Sequence, residues 1–237
     1  MKLVIGGSSG FVGKELIRQG LSYPAITSIV ALSRRETPVP PEAGAGTKLS
    51  SVVCDNFESY PDSIKKELED ADACIWTIAV TPSKLNSVPY DEACKISRDY
   101  AITAIQTLSE LRPNQKEPLR FIYMSGHLAF RNRDEVPEAL KTHGFVEYGL
   151  MRGDAESQVL GFAEQSEGTV QSCIAKPGLV DTPGQEKRSM PGVPNVDLPE
   201  VAAALLNQVV NGFEKDTLKN DDLIRIGRKA LAEQQSA

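Results

Sequence analysis

Leu3-Val4-Ile5-Gly6-Gly7-Ser8-Ser9-Gly10-Phe11-Val12-Gly13 decides the reading of this chain. Three apolar residues make a short strand, the glycine–serine run makes a turn, and Phe11 opens a segment of helical period. In that segment Phe11, Val12, Leu16 and Ile17 fall on one face, with Lys14, Glu15 and Arg18 outward. A Gly-x-x-Gly-x-x-Gly string is weak alone and strong between a strand and a helix. Its glycines permit a tight turn and close backbone approach, so a pyrophosphate can rest on the amides and dipole of the helix N-terminus. Gly7, Ser9, Gly10, Phe11, Val12 and Gly13 are therefore expected to hold a dinucleotide.

Outward from this turn, strand-like and helix-like blocks alternate. Strands are expected at 26–32, 49–53, 73–80, 119–124 and 169–175. Helices are expected at 62–69, 91–111, 148–163 and 199–210, and a last short strand at 223–226 before a basic C-terminal helix. This alternation specifies an α/β fold of Rossmann type: a doubly wound parallel sheet with helices on both faces. Such a sheet binds ligands at the carboxyl ends of its strands, where strand order reverses. Segments 37–45 and 181–199, rich in Pro and Gly, are expected to be irregular, the second crossing the mouth of the site.

The composition narrows the function classes. The 237 residues, 41% apolar and 24% charged, suit one large domain with a small appendage: 1–180 as nucleotide-binding domain and 181–237 as a short C-terminal cap. A formal charge of −6 argues against nucleic acid or an anionic membrane as partner. Cys54, Cys74, Cys94 and Cys173 are far apart and sit in or beside apolar stretches, so they read as reduced and mostly buried. With His127 and His143 the only histidines, no His/Cys metal cluster follows from local spacing. The apolar residues before Gly6 are too few for a signal-peptide core, and the longest apolar stretch, 73–80, is far below a membrane span. A soluble, cytoplasmic protein is the expectation.

The end of the second strand selects the nucleotide. An acidic residue there would take the ribose hydroxyls of NAD; here Ala31-Leu32-Ser33 runs into Arg34-Arg35, with Glu36 displaced beyond. A guanidinium fork suits a 2′-phosphate, which favours NADP(H) over NAD(H); a solvated basic pair is the plainer alternative.

With these motifs in place, the chain resembles the atypical short-chain dehydrogenases/reductases, of the small fungal-type, epimerase-like and NmrA-like group, over residues 2–183. The resemblance implies that Asp55 and Asn56 face the adenine ring. It implies that Thr77, Ile78, Ala79 and Val80 line the cofactor and that Pro177, Gly178 and Leu179 pack by the nicotinamide. It also implies a Ser or Thr after the fifth strand and a Tyr-x-x-x-Lys on the next helix. The sequence offers Ser125 and Tyr148-Gly149-Leu150-Met151-Arg152.

Residues 148 and 152, four apart, share a helical face, whereas Tyr90 and Lys95, five apart, diverge. Ser125 would orient a substrate carbonyl and Tyr148 would give it a proton as hydride arrives. The phenol needs a nearby cation, and Arg152 stands where the family has lysine. Arginine can lower a phenol pKa and bind ribose hydroxyls but does not readily relay a proton.

That substitution keeps three functions open: an NADPH-dependent reductase of a carbonyl or enone, a non-redox isomerase, epimerase or cyclase, and a redox-sensing binding protein without turnover. His127 is either a structural histidine bonded to backbone or a substrate contact, and Met190 belongs to an apolar lid over a small apolar substrate. His143 is expected at the surface. Residues 131–135 read as a solvated charged loop, with substrate anchoring as the alternative, and Trp76, Phe121 and Tyr123 read as core. A homodimer through the helices flanking the fifth strand is expected by analogy alone.

Overall fold

Successive residues of the first strand, β1 (Lys2–Gly6), bury on opposite sides: Leu3 and Ile5 join one apolar cluster and Val4 another. β2 (Ser28–Ser33) repeats this with Ile29 and Ala31 against Val30 and Leu32, and β4 (Ala73–Trp76) with Ala73 and Ile75 against Cys74 and Trp76. A strand apolar on both sides requires a helical layer over each face, and the computed structural model shows both. It describes residues 1–40, 47–113, 116–140 and 145–235.

The sheet has seven strands in the order β3-β2-β1-β4-β5-β6-β9, completed by β3 (Leu49–Val53), β5 (Leu119–Met124), β6 (Val170–Lys176) and β9 (Thr217–Lys219). Every pairing is parallel. On one face α1 (Phe11–Leu21), α6 (Leu198–Asn211) and α7 (Asn220–Gln235) supply the apolar partners. On the other, α4 (Tyr100–Glu110) and α5 (Val146–Gln165) do so. The fold class is the one expected. Winding reverses between β1 and β4, so the crevice beyond their carboxyl ends is the ligand position for such a sheet.

The remaining elements are α2 (Asp62–Leu68), α3 (Tyr90–Cys94), and a two-stranded parallel pair of β7 (Leu179–Asp181) and β8 (Asn195–Asp197). α3 runs through a π turn, Lys95–Asp99, directly into α4. Beyond residue 180, α6 and β9 build the core and the main sheet. The chain between β7 and β8 lies outside them.

Four expectations about these elements need correction. The strand expected at 73–80 ends at Trp76, because its partner β1 ends at Gly6, which pairs with Trp76, and the glycine turn then carries the chain away. The strand expected at 223–226 is helix: Leu223, Ile226 and Ala230 are buried at helical spacing in α7, and the last strand is Thr217–Lys219. Phe11 is 51% exposed rather than on the buried face of α1, which is formed by Val12, Leu16 and Ile17. The irregular stretch 181–199 contains β8 and the start of α6, which opens with a capping box between Asp197 and Glu200. His143 and residues 41–45 of the first irregular stretch lie outside the described residues.

Candidate functional site

The glycine turn is shaped by two close approaches. Gly7 has φ +85°, a left-handed conformation, and a β-carbon on it would stand 2.5 Å from Thr77 Oγ1. A β-carbon on Gly13 would stand 2.3 Å from the Gly7 carbonyl oxygen, so the first turn of α1 sits directly under the loop. Gly10 donates its amide to Gly7 O at 2.9 Å, and no side chain caps α1. The first amides of this helix are thereby left to an external acceptor.

Three buried hydroxyls fix what flanks the turn. Ser8 Oγ lies 2.7 Å from Thr37 Oγ1, which is 3.3 Å from Ser33 Oγ, and Ser33 donates to the Arg35 carbonyl at 2.5 Å. This cluster clamps the segment after β2 to the glycine turn and leaves Arg34 and Arg35 exposed at the strand end. Neither guanidinium has an ion-pair partner among the described residues. Asp55 and Asn56 follow β3 at the surface, where Asn56 Oδ1 accepts the Glu58 amide at 2.9 Å.

After β4, the Thr77 hydroxyl donates to Gly6 O at 2.8 Å, Ile78 and Ala79 are half-buried, and Val80 is buried. Val80 is held from both sides. Its amide donates to Ser97 Oγ at 2.9 Å, and its carbonyl accepts the Tyr148 hydroxyl. Ser97, in the π turn, also accepts the Tyr123 hydroxyl on its own carbonyl. π turns recur at functional positions because they redirect backbone groups in this way.

Tyr148, Arg152 and Glu156 form one stripe along α5. Arg152 is 4% exposed, its Nη2 donates to Met124 O at 2.7 Å, and its guanidinium lies 4.9 Å from the centre of the Tyr123 ring. Arg152 Nη1 is buried without a hydrogen-bond partner among the described residues. Burial pushes the Tyr123 phenol well up, against the Arg152 charge that lowers it. Ser125 bonds neither Tyr148 nor Arg152. It donates to Glu156 Oε1 at 2.6 Å, so the three expected catalytic residues are each engaged by a different group.

Glu156 is fully buried and was missed by the reading of the sequence. Lys176 Nζ reaches its Oε1 at 2.9 Å and Arg131 Nε its Oε2 at 2.9 Å, while Arg131 Nη2 donates to Thr217 Oγ1 and Lys176 to Ala129 O. The expectation of a solvated loop at 131–135 is corrected for Arg131. Gly149 and Gly153, one turn apart on α5, let the backbone of residues 128–131 lie against the helix and bring Arg131 onto Glu156. That glycine pair, with Glu at the next helical step, was the available signal. Residues 132–135 are exposed as expected.

On the far side, Gly178 donates to Asn220 Oδ1 at 2.9 Å and Leu179 to Pro194 O at 2.8 Å. A β-carbon on Gly178 would overlap the Pro194 carbonyl at 1.9 Å. Pro177 is buried, and its carbonyl accepts the His127 amide. His127 is exposed and its Nε2 lies 3.1 Å from the Gly192 carbonyl, which ties the loop after β5 to the segment between β7 and β8. Met190, in that segment, is 38% exposed.

No family model matches the chain. It is 23% identical over 239 residues to "Protein FMP52, mitochondrial" of Candida albicans, covering 95% of this chain and 98% of that one. Among solved structures it is similar to DesIV, the dTDP-glucose 4,6-dehydratase of Streptomyces venezuelae with NAD and TYD bound (TM-score 0.67, 13% identity, 98% of this chain and 81% of that one). It is likewise similar to the yeast methylglyoxal/isovaleraldehyde reductase Gre2 complexed with NADPH (TM-score 0.62, 12% identity, 88% and 74%). These likenesses show a fold shared with an NAD-bound dehydratase and an NADPH-bound reductase. No helix among the described residues is long and apolar enough to cross a membrane.

Proposed function

We propose that the protein is a nicotinamide dinucleotide-dependent enzyme of short-chain dehydrogenase/reductase type. It would use NADP(H) in preference to NAD(H) and reduce a carbonyl or enone of a small apolar metabolite, or form that group from the alcohol in the reverse direction. The observation that carries this reading is the glycine turn: Gly13 packs beneath Gly7, and the amides of α1 are left uncapped at the reversal point of the sheet. The residues present fit the cofactor on a second count, since the buried Arg152 Nη1 lacks an acceptor that ribose hydroxyls would supply.

When bound, the nicotinamide ring supplies hydride exchange at its C4. Arg34 and Arg35, exposed and without an ion-pair partner among the described residues, would take a 2′-phosphate. The backbone of Thr77–Ala79 and Pro177–Leu179 would border the nicotinamide half. Tyr148 holds its proton on the Val80 carbonyl, and turning away from that acceptor would present the proton to a substrate oxygen. Arg152 would hold positive charge beside the phenol without relaying a proton. His127 and Met190 would border the substrate from the loop after β5 and from the segment between β7 and β8. Loss of NADPH absorbance with a panel of ketones and quinones tests the reading. Tyr148→Phe should abolish turnover with dinucleotide binding intact, and unchanged turnover removes Tyr148 from the mechanism.

Binding without turnover is the second reading, favoured by the engagement of Tyr148 with Val80 and of Ser125 with Glu156. Dinucleotide binding with no substrate consumed across the panel would support it. For assembly we propose a homodimer through α4 and α5, by analogy with related enzymes, to be measured by light scattering. The cytoplasmic location expected from the sequence competes with the mitochondrial one in the name of the Candida relative, and cell fractionation distinguishes them.

A further inference from the structure

We infer that Glu156 is a positioning residue that makes Ser125 a hydrogen-bond acceptor toward the substrate, so that the group Ser125 receives is a hydroxyl rather than a carbonyl. The inference rests on the reading above and names the oxygen chemistry its site selects. A serine hydroxyl has one proton and two lone-pair positions. Ser125 Oγ lies 2.6 Å from Glu156 Oε1, and Glu156 is surrounded by donors: Lys176 Nζ at 2.9 Å from Oε1 and 3.0 Å from Oε2, and Arg131 Nε at 2.9 Å from Oε2. Ser125 Oγ donates to Glu156 Oε1, whose carboxyl group is otherwise met by the Lys176 and Arg131 donors, so the serine's one proton is taken up on this contact. A hydroxyl bonded to a carboxylate makes a charge-assisted, stronger than ordinary hydrogen bond.

The arrangement is built rather than incidental. Glu156 is fully buried, and its two cations are themselves anchored, Lys176 on Ala129 O and Arg131 on Thr217 Oγ1. The Ser125 amide donates to Ala175 O at 2.8 Å, which continues the β5–β6 ladder and fixes the serine backbone opposite the carboxylate. Ser125 Oγ therefore keeps lone pairs, and no proton, for any further partner. A substrate oxygen seated on it must bring its own proton, as an alcohol or an enol does and a ketone does not. The proton for a carbonyl oxygen would have to come from Tyr148 alone.

The test uses dead-end complexes of the full chain: cyclohexanol with the NADPH-loaded protein and cyclohexanone with the NADP+-loaded protein, each titrated by ligand-detected NMR. Ser125→Ala is expected to weaken cyclohexanol binding about tenfold, the worth of one hydrogen bond, and to leave cyclohexanone unchanged. Glu156→Gln extends the test. Its amide oxygen would face Arg131 and Lys176 and its NH2 would face Ser125, which frees the serine proton and shifts preference toward cyclohexanone. If that variant does not fold, the Ser125→Ala pair still decides. Equal or greater weakening of cyclohexanone in Ser125→Ala overturns the inference, as does failure of both probes to bind at millimolar concentration. Dinucleotide binding is measured first: its absence overturns the functional reading itself, whereas intact dinucleotide binding with no alcohol-specific loss overturns only the polarity of Ser125.

Discussion

Gly153 faces the Phe130 carbonyl oxygen so closely that a β-carbon would stand 1.9 Å from it. Through this contact the loop after β5 rests on α5, and from that loop Arg131 reaches Glu156. Gly153→Ala must push the loop outward, with Arg131 and its bond to Glu156 moving too. Overpacking of this kind costs about 1–3 kcal/mol, which for a chain of this size lowers Tm by several degrees. Thermal unfolding measures it; an unchanged Tm would show that the loop does not bear on the helix.

The basic pair after β2 is assigned to nucleotide choice. Arg34→Ala with Arg35→Ala should weaken NADPH binding about tenfold and leave NADH binding unchanged, since a 2′-phosphate is the only group that distinguishes the two. Equal losses for both dinucleotides in fluorescence titrations would return the pair to a solvated strand end.

An acid-sensitive tie lies in the segment beyond β6. Arg188 Nε donates to Asp181 at 2.9 Å and Asn195 Nδ2 at 2.5 Å, and these bonds hold the Asp181 carboxyl below the usual carboxylate range. A depressed carboxyl contributes stability above its unfolded pKa and loses it as pH falls through the folded value. The Tm difference between wild type and Asp181→Asn should therefore be full at neutral pH and vanish in acid. A difference independent of pH would assign the contribution to shape rather than charge.

Thiol chemistry offers a check on the core. Burial pushes the Cys173 thiol up to about 12 and Cys74 higher still, while Cys54 is also raised. Cys94 alone among the four is half-buried. Alkylation of the native protein at neutral pH should label Cys94 first, with the other three reacting only after unfolding. Mass spectrometry of digests reads the order, and early labelling of Cys74 or Cys173 would contradict the packing.

What the sequence revealed follows physical locality. The strands at 49–53 and 119–124 were legible to the residue, because an apolar run between turn signals is a local property. The end of β4 was not, since it is set by where β1 stops. Residues 223–226 misled because a short apolar run has no period of its own, and only Ala230 one turn on shows it as helix. In the site, the glycine turn and the Tyr148–Arg152 stripe could be seen. Glu156 could not, because its partners Ser125, Arg131 and Lys176 come from separate elements and meet only through the tertiary fold.

Calorimetric titration with NADPH, of the wild-type protein beside Gly13→Ala, tests the central claim most directly. A β-carbon at position 13 would meet the Gly7 carbonyl at 2.3 Å and displace the turn that is assigned to the phosphates. The account predicts saturable, one-to-one binding to the wild type and its loss in a folded variant. No binding by the wild type, or equal binding by both proteins, would contradict it.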